Sequence, residues 1–93
     1  MNKFFDQLGQ HLAEAGKRRG VDMSRPQLDA AVAQELLELA RVAAHTQERR
    51  FAPLASFLAG VAAERLTAAG AGTNATVASM IREVREEIER GAG

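Results

Sequence analysis

The chain has no cysteine, tryptophan or tyrosine, only two prolines, and no excess of either charge: Lys+Arg and Asp+Glu both number 12 in 93 residues. Without cysteine, disulfides, thiolate metal sites and a cysteine nucleophile are excluded, a composition that suits the cytoplasm. Balanced charge gives no overall field to gather the protein on nucleic acid or an anionic membrane, so neither is an expected partner. No run is long and apolar enough to span a bilayer; the weakly polar stretch from Phe51 to Ala63 is too short. The start does not read as a secretion signal, because Asp6, Gln7 and Gln10 interrupt the apolar residues that follow Lys3. What is present is 46% hydrophobic side chains, dominated by alanine and leucine, a helix-forming palette sufficient for one core. The expectation is therefore an all-α fold in a single domain, residues 1–93, cytoplasmic in location.

Glycine and proline punctuate the chain into four helices, expected near residues 2–15, 25–48, 53–69 and 74–90. Phe4, Phe5, Leu8, Leu12 and Ala15 recur at helical spacing before Gly16-Lys17-Arg18-Arg19-Gly20, which should stop the first helix. Ser24-Arg25-Pro26-Gln27 has the form of a capping box with an early-turn proline, opening a second helix at about Arg25. That helix carries one stripe of Leu28, Val32, Leu36, Leu39, Ala43 and Thr46 beside another of Ala33, Leu37, Ala40 and Ala44. Pro53 disfavours helix in Ala52 and opens a third helix, in which Leu54, Phe57, Leu58, Val61 and Leu66 should point inward. Thr73 or Asn74 caps a fourth, with Val77, Met80, Ile81, Val84 and Ile88 as its seam, and Gly91-Ala92-Gly93 as a frayed tail. Short connections favour a small four-helix bundle, with an orthogonal helical array as the alternative.

Catalytic chemistry finds little support. Gly70 and Gly72 lack the strand and the Lys-Ser/Thr of a phosphate loop. His11 and His45 stand on different helices without a second ligand at metal-binding spacing, so no metal and no cofactor is expected. Asn74-Ala75-Thr76 matches a glycosylation sequon in form and reads better as a helix start. Arg82, Glu83, Arg85, Glu86, Glu87, Glu89 and Arg90 interleave as a solvated face, with pairs such as Arg82 to Glu86 and Glu86 to Arg90. The basic cluster Lys17 to Arg19 has no interleaved aromatic residue and makes a poor nucleic-acid platform.

Polar residues converge only at the end of the second helix and the turn after it, at Arg41, His45, Glu48, Arg49 and Arg50, of which the four cationic or ionisable-base side chains Arg41, His45, Arg49 and Arg50 are the candidate binding residues. Spacing of four residues stacks Arg41, His45 and Arg49 on one helical face as a cationic ridge. The ridge leads toward the first amides of the third helix, around Leu54 to Ser56. Arginines beside free amides at a helix start suit a phosphate or carboxylate, and His45 would add a proton-dependent contact. The same residues also have a purely structural reading, with Arg49 and Arg50 complementing the carbonyl end of the second helix.

Leu36-Leu37-Glu38-Leu39-Ala40-Arg41, Ala44-His45, Arg49, Ala52-Pro53-Leu54 and Phe57-Leu58-Ala59-Gly60-Val61-Ala62 resemble a family of short bacterial helical domains of unknown function. The likeness spans about residues 25 to 66. Such domains occur alone or attached to nucleotidyltransferases of molybdenum-cofactor synthesis, and the resemblance implies an accessory role in molybdenum-cofactor handling or molybdoenzyme maturation. It carries over Arg41, His45, Arg49, Pro53 and Gly60, none with an assigned role. The first helix and the Arg82 to Arg90 face carry no motif of that family. The expected function is a non-enzymatic binding or adaptor module for a protein partner or an anionic small ligand. The alternative is a self-associating structural bundle that forms a homodimer through its alanine-rich third helix or an exposed part of the wide second-helix face.

Overall fold

The computed structural model describes residues 2–92, with side chains to residue 91, and among these every regular element is a helix. The elements are α1 (Lys3–Arg18), α2 (Ala30–Thr46), α3 (Phe51–Ala68) and α4 (Asn74–Ala92). The all-α expectation and the count of four helices stand. The chain's internal contacts gather into two compact units, Met1–Ala30 and Ala31–Gly93.

In the first unit, Asn2 opens α1 by accepting the Phe5 amide on its side-chain oxygen at 3.2 Å, and Asp6 sits in the first turn, where negative charge suits the dipole. The glycine-bracketed basic cluster stops the helix later than expected. Gly16 stays helical, and termination waits for Gly20, whose φ of 85° opens the left-handed region. The Gly20 and Val21 amides then donate to the carbonyls of Lys17 and Gly16, at 3.0 and 2.9 Å, the paired bonds of a Schellman ending.

The expected helix start at Arg25 is a correction: residues 21–29 contain no helix, and α2 begins at Ala30. The reason lies at Gly9, the buried residue of α1, where a Cβ would run into the Pro26 carbonyl and come within 3.0 Å of Arg25 Cγ. Residues 25 and 26 lie against the helix where Gly9 leaves its surface bare. Pro26 thus serves this packed segment rather than a first helical turn.

The second unit is α2, α3 and α4. α2 ends at Thr46, two residues earlier than expected, with the Thr46 hydroxyl donating to the Val42 carbonyl at 2.8 Å. α3 starts earlier, at Phe51, so Ala52 is helical despite preceding Pro53. Pro53 is the third helical residue, where a missing amide hydrogen costs no intrahelical bond. α3 closes as α1 does, with Gly70 at φ 85° and the Ala71 amide on the Leu66 carbonyl at 3.0 Å. Thr73 caps α4, its hydroxyl accepting the Thr76 amide at 3.1 Å. α4 continues through Gly91 to Ala92 instead of fraying there; Gly93 lies outside the described residues.

The core of this unit is small. Leu39, Val77 and Ile81 form its buried cluster, packed by Val32, Leu36, Ala55, Ala59, Ala63 and Leu66. Each buried aliphatic side chain contributes about 1.5–3 kcal/mol. Leu54, Phe57 and Leu58 do not point inward as the sequence suggested: they are 60, 71 and 68% exposed, and alanines take the inward positions. Val84 and Ile88 of the α4 seam and Leu37 of α2 are exposed as well. Val42, absent from the expected stripes, is the most deeply buried side chain, at 2%.

Candidate functional site

The cationic ridge does not lie on one continuous helix. Arg41 is on α2 and His45 in its last turn, but Arg49 lies beyond the helix end, so the four-residue stacking stops at His45. Arg41 is already engaged, with Nη2 3.0 Å from Glu38 Oε2 and 3.7 Å from Glu89 Oε2. Arg50 pairs with Glu48 at 3.0 Å and lies 6.0 Å from the Phe51 ring centroid. All four residues are exposed. The amides at the start of α3 are also in use: Phe51 donates to the Glu48 carbonyl at 3.0 Å and Ala52 to that of Arg49 at 3.1 Å. Because α3 begins at Phe51, the amides of Leu54 to Ser56 fall inside the helix rather than at its open end. Two of the arginines thus already have carboxylate partners, and the dipole end meets its own loop.

Charge is organised elsewhere, between α2 and α4. Glu35 is 8% exposed and receives Arg82 Nε at 3.0 Å, with Arg85 Nη2 3.7 Å from its other oxygen. Arg85 donates to Glu89 at 2.7 Å, and Glu89 in turn lies near Arg41. The Arg85 hydrogen bond, aided by Arg41, holds the Glu89 carboxyl below its ordinary value, and the same bond raises Arg85. Arg82 therefore reaches across to α2 rather than along its own helix to Glu86, and one side of the expected solvated face is part of the packing. Glu35 Oε1 and Arg85 Nε are buried without hydrogen-bond partners, so the network is tight but not saturated. Periodicity held the clue to Glu35: it stands three residues after Val32 and four before Leu39, within the buried stripe.

The largest physical anomaly is apolar. α3 is hydrophobic around its whole circumference, yet none of its residues is buried. One side packs on the core through Ala55, Ala59 and Ala63; the other presents Leu54, Phe57 and Leu58 to solvent. Beside these lies a groove of about 280 Å³ between α3 and α4, floored by Leu39 and Ile81 and walled by Ala55, Leu58, Ala59, Ala62, Met80, Val84 and Ile88. No polar side chain lines it. A concavity of about 620 Å³ in the first unit has the opposite character, with Glu14 and Asp22 balancing Lys17 and Arg25. Among the described residues no group of three His, Asp or Glu side chains could hold a metal, and no helix is long and apolar enough to cross a membrane.

A small helical domain with paired surface charges and an open apolar face falls in the class of small all-α domains. Within that class the chain belongs to the family described as the domain of unknown function DUF6457, whose model matches residues 1–93. The match covers the first helix and the Arg82 to Arg90 segment as well as the helices between them. No curated protein and no solved structure matches the chain.

Proposed function

We propose that this protein is a non-enzymatic interaction module whose working surface is the apolar face of α3 with the adjoining groove. The observation that carries this reading is the exposure of Leu54, Phe57 and Leu58, at 60–71%, beside a groove with only apolar walls. Soluble proteins rarely leave a contiguous apolar patch of several hundred Å² uncovered unless it meets another surface. An apolar groove beside a helix suits an amphipathic helix, which seats residues at one-turn spacing. The molybdenum-cofactor setting implied by the sequence resemblance would place this module among accessory proteins of molybdoenzyme maturation.

An anionic ligand, such as a phosphorylated pterin at Arg41, His45, Arg49 and Arg50, is the competing reading. It has less support, because binding there would break the Arg41 pairs to Glu38 and Glu89 and the Arg50 pair to Glu48. Photo-crosslinking in cells separates the two, with benzoyl-phenylalanine placed at position 57 or position 49. A discrete adduct from position 57 and none from position 49, with the attached protein identified by mass spectrometry, is the expected result. An adduct confined to position 49, or none from either position, would contradict the assignment.

A further inference from the structure

We propose that the occupant of this face is α3 of a second copy of the same chain, laid antiparallel with a two-fold axis at Phe57. The inference rests on the docking role proposed above and names what docks. Leu54, Phe57, Leu58 and Val61 follow one another at the three- and four-residue spacing of a helix–helix seam. In an isologous contact each copy must supply both the protrusion and the recess. Here each does: Leu58 is 68% exposed and stands at the lip of the groove it would fill in the other copy.

Charge selects the orientation. Between Phe51 and Ala63 no residue of α3 is charged, and the seam is flanked by Arg50 at one end and Glu64 at the other. Both lie seven residues, or about two turns, from Phe57, so an antiparallel crossing centred there sets Arg50 opposite Glu64 of the second copy, twice per dimer. A parallel pairing would set Arg50 against Arg50 and align the helix dipoles unfavourably. Arg50 is 79% exposed in its pair with Glu48, so exchanging that partner costs little. Equal numbers of acidic and basic residues leave no net repulsion between copies.

Area sets the strength. The exposed parts of Leu54, Phe57, Leu58, Val84 and Ile88 amount to roughly 450 Å² per copy. Two copies would bury about 900 Å² of such surface, below the roughly 1,200 Å² at which stable specific interfaces begin, which implies a weak, concentration-dependent dimer.

Sedimentation equilibrium over a concentration series tests this with the full chain. The mass should rise from 10.0 kDa toward twice that value. R50E and E64R should each raise the dissociation constant about fivefold to tenfold, and the double variant R50E/E64R should return to within about twofold of the wild type. L58D should stay monomeric with its far-UV circular dichroism unchanged. A monomer at millimolar concentration, or a dimer indifferent to both charge reversals, would overturn the inference. If the wild type is monomeric while position 57 crosslinks to a different protein, the docking role survives and only its occupant is wrong. A monomer with no adduct from position 57 sinks both.

Discussion

Gly9 shows how one residue can carry two opposite signals. As a helix-interior glycine it weakens α1 by about 1 kcal/mol relative to alanine. Its purpose is tertiary, since the Pro26 carbonyl occupies the space a Cβ would need. Gly9→Ala should therefore destabilise the first unit despite better helix propensity. Overpacking against a backbone atom costs about 1–3 kcal/mol, which exceeds the propensity gain. Amide hydrogen exchange across residues 3–18 should accelerate about tenfold in the variant; slower exchange would show that propensity wins. The same packing explains why the sequence reading placed the second helix five residues too early. Ser24-Arg25-Pro26-Gln27 satisfies the local rules for a helix start, and a contact distant in sequence overrides them.

At the scale of the element, α2 and α4 were legible as helices, but their charged residues were not legible as a network. Alternating charge on α4 looks the same whether its partners lie along the helix or across it. Only the position of Glu35 inside an apolar stripe signals a crossing contact. Its consequence is a pH dependence with a definite sign. Glu89 is lowered in the folded state, so its contribution to stability is fully present above the ordinary carboxylate range and is lost as pH falls through the lowered value. Between about pH 6 and pH 3 the melting temperature of Glu89→Gln should fall less than that of the wild type. Parallel declines would show that Arg85 and Arg41 do not favour the ionised form. Raised Arg85 keeps its charge throughout that range and adds no slope there.

α3 exposes the weakness of periodicity when a helix is apolar all round. Every face then looks like a core face, and size favours putting Leu54, Phe57 and Leu58 inside. Packing on the Leu39, Val77 and Ile81 cluster selects the other side instead, through Ala55, Ala59 and Ala63. The candidate anion-binding residues differ from the expected helical spacing for a similarly local reason. Helix ends displaced by two residues at Thr46 and Phe51 remove Arg49 from the ridge and bury the expected free amides within α3.

For the whole molecule, composition alone made the all-α class legible, whereas the division into Met1–Ala30 and Ala31–Gly93 depends on contacts that no local pattern encodes. The proposed interface requires the outer face of α3 to lie outside the core of the chain. Paramagnetic relaxation of leucine and isoleucine methyls by an inert, dissolved gadolinium chelate tests this most directly. In dilute protein the methyls of Leu54 and Leu58 should relax strongly, as should Leu37, which is 66% exposed and points about 200° away from Leu39 around α2. Raising the protein concentration should protect Leu54 and Leu58 several-fold while Leu37 stays unchanged. If Leu58 in dilute protein is already as shielded as Ile81, the face is core and the account is wrong.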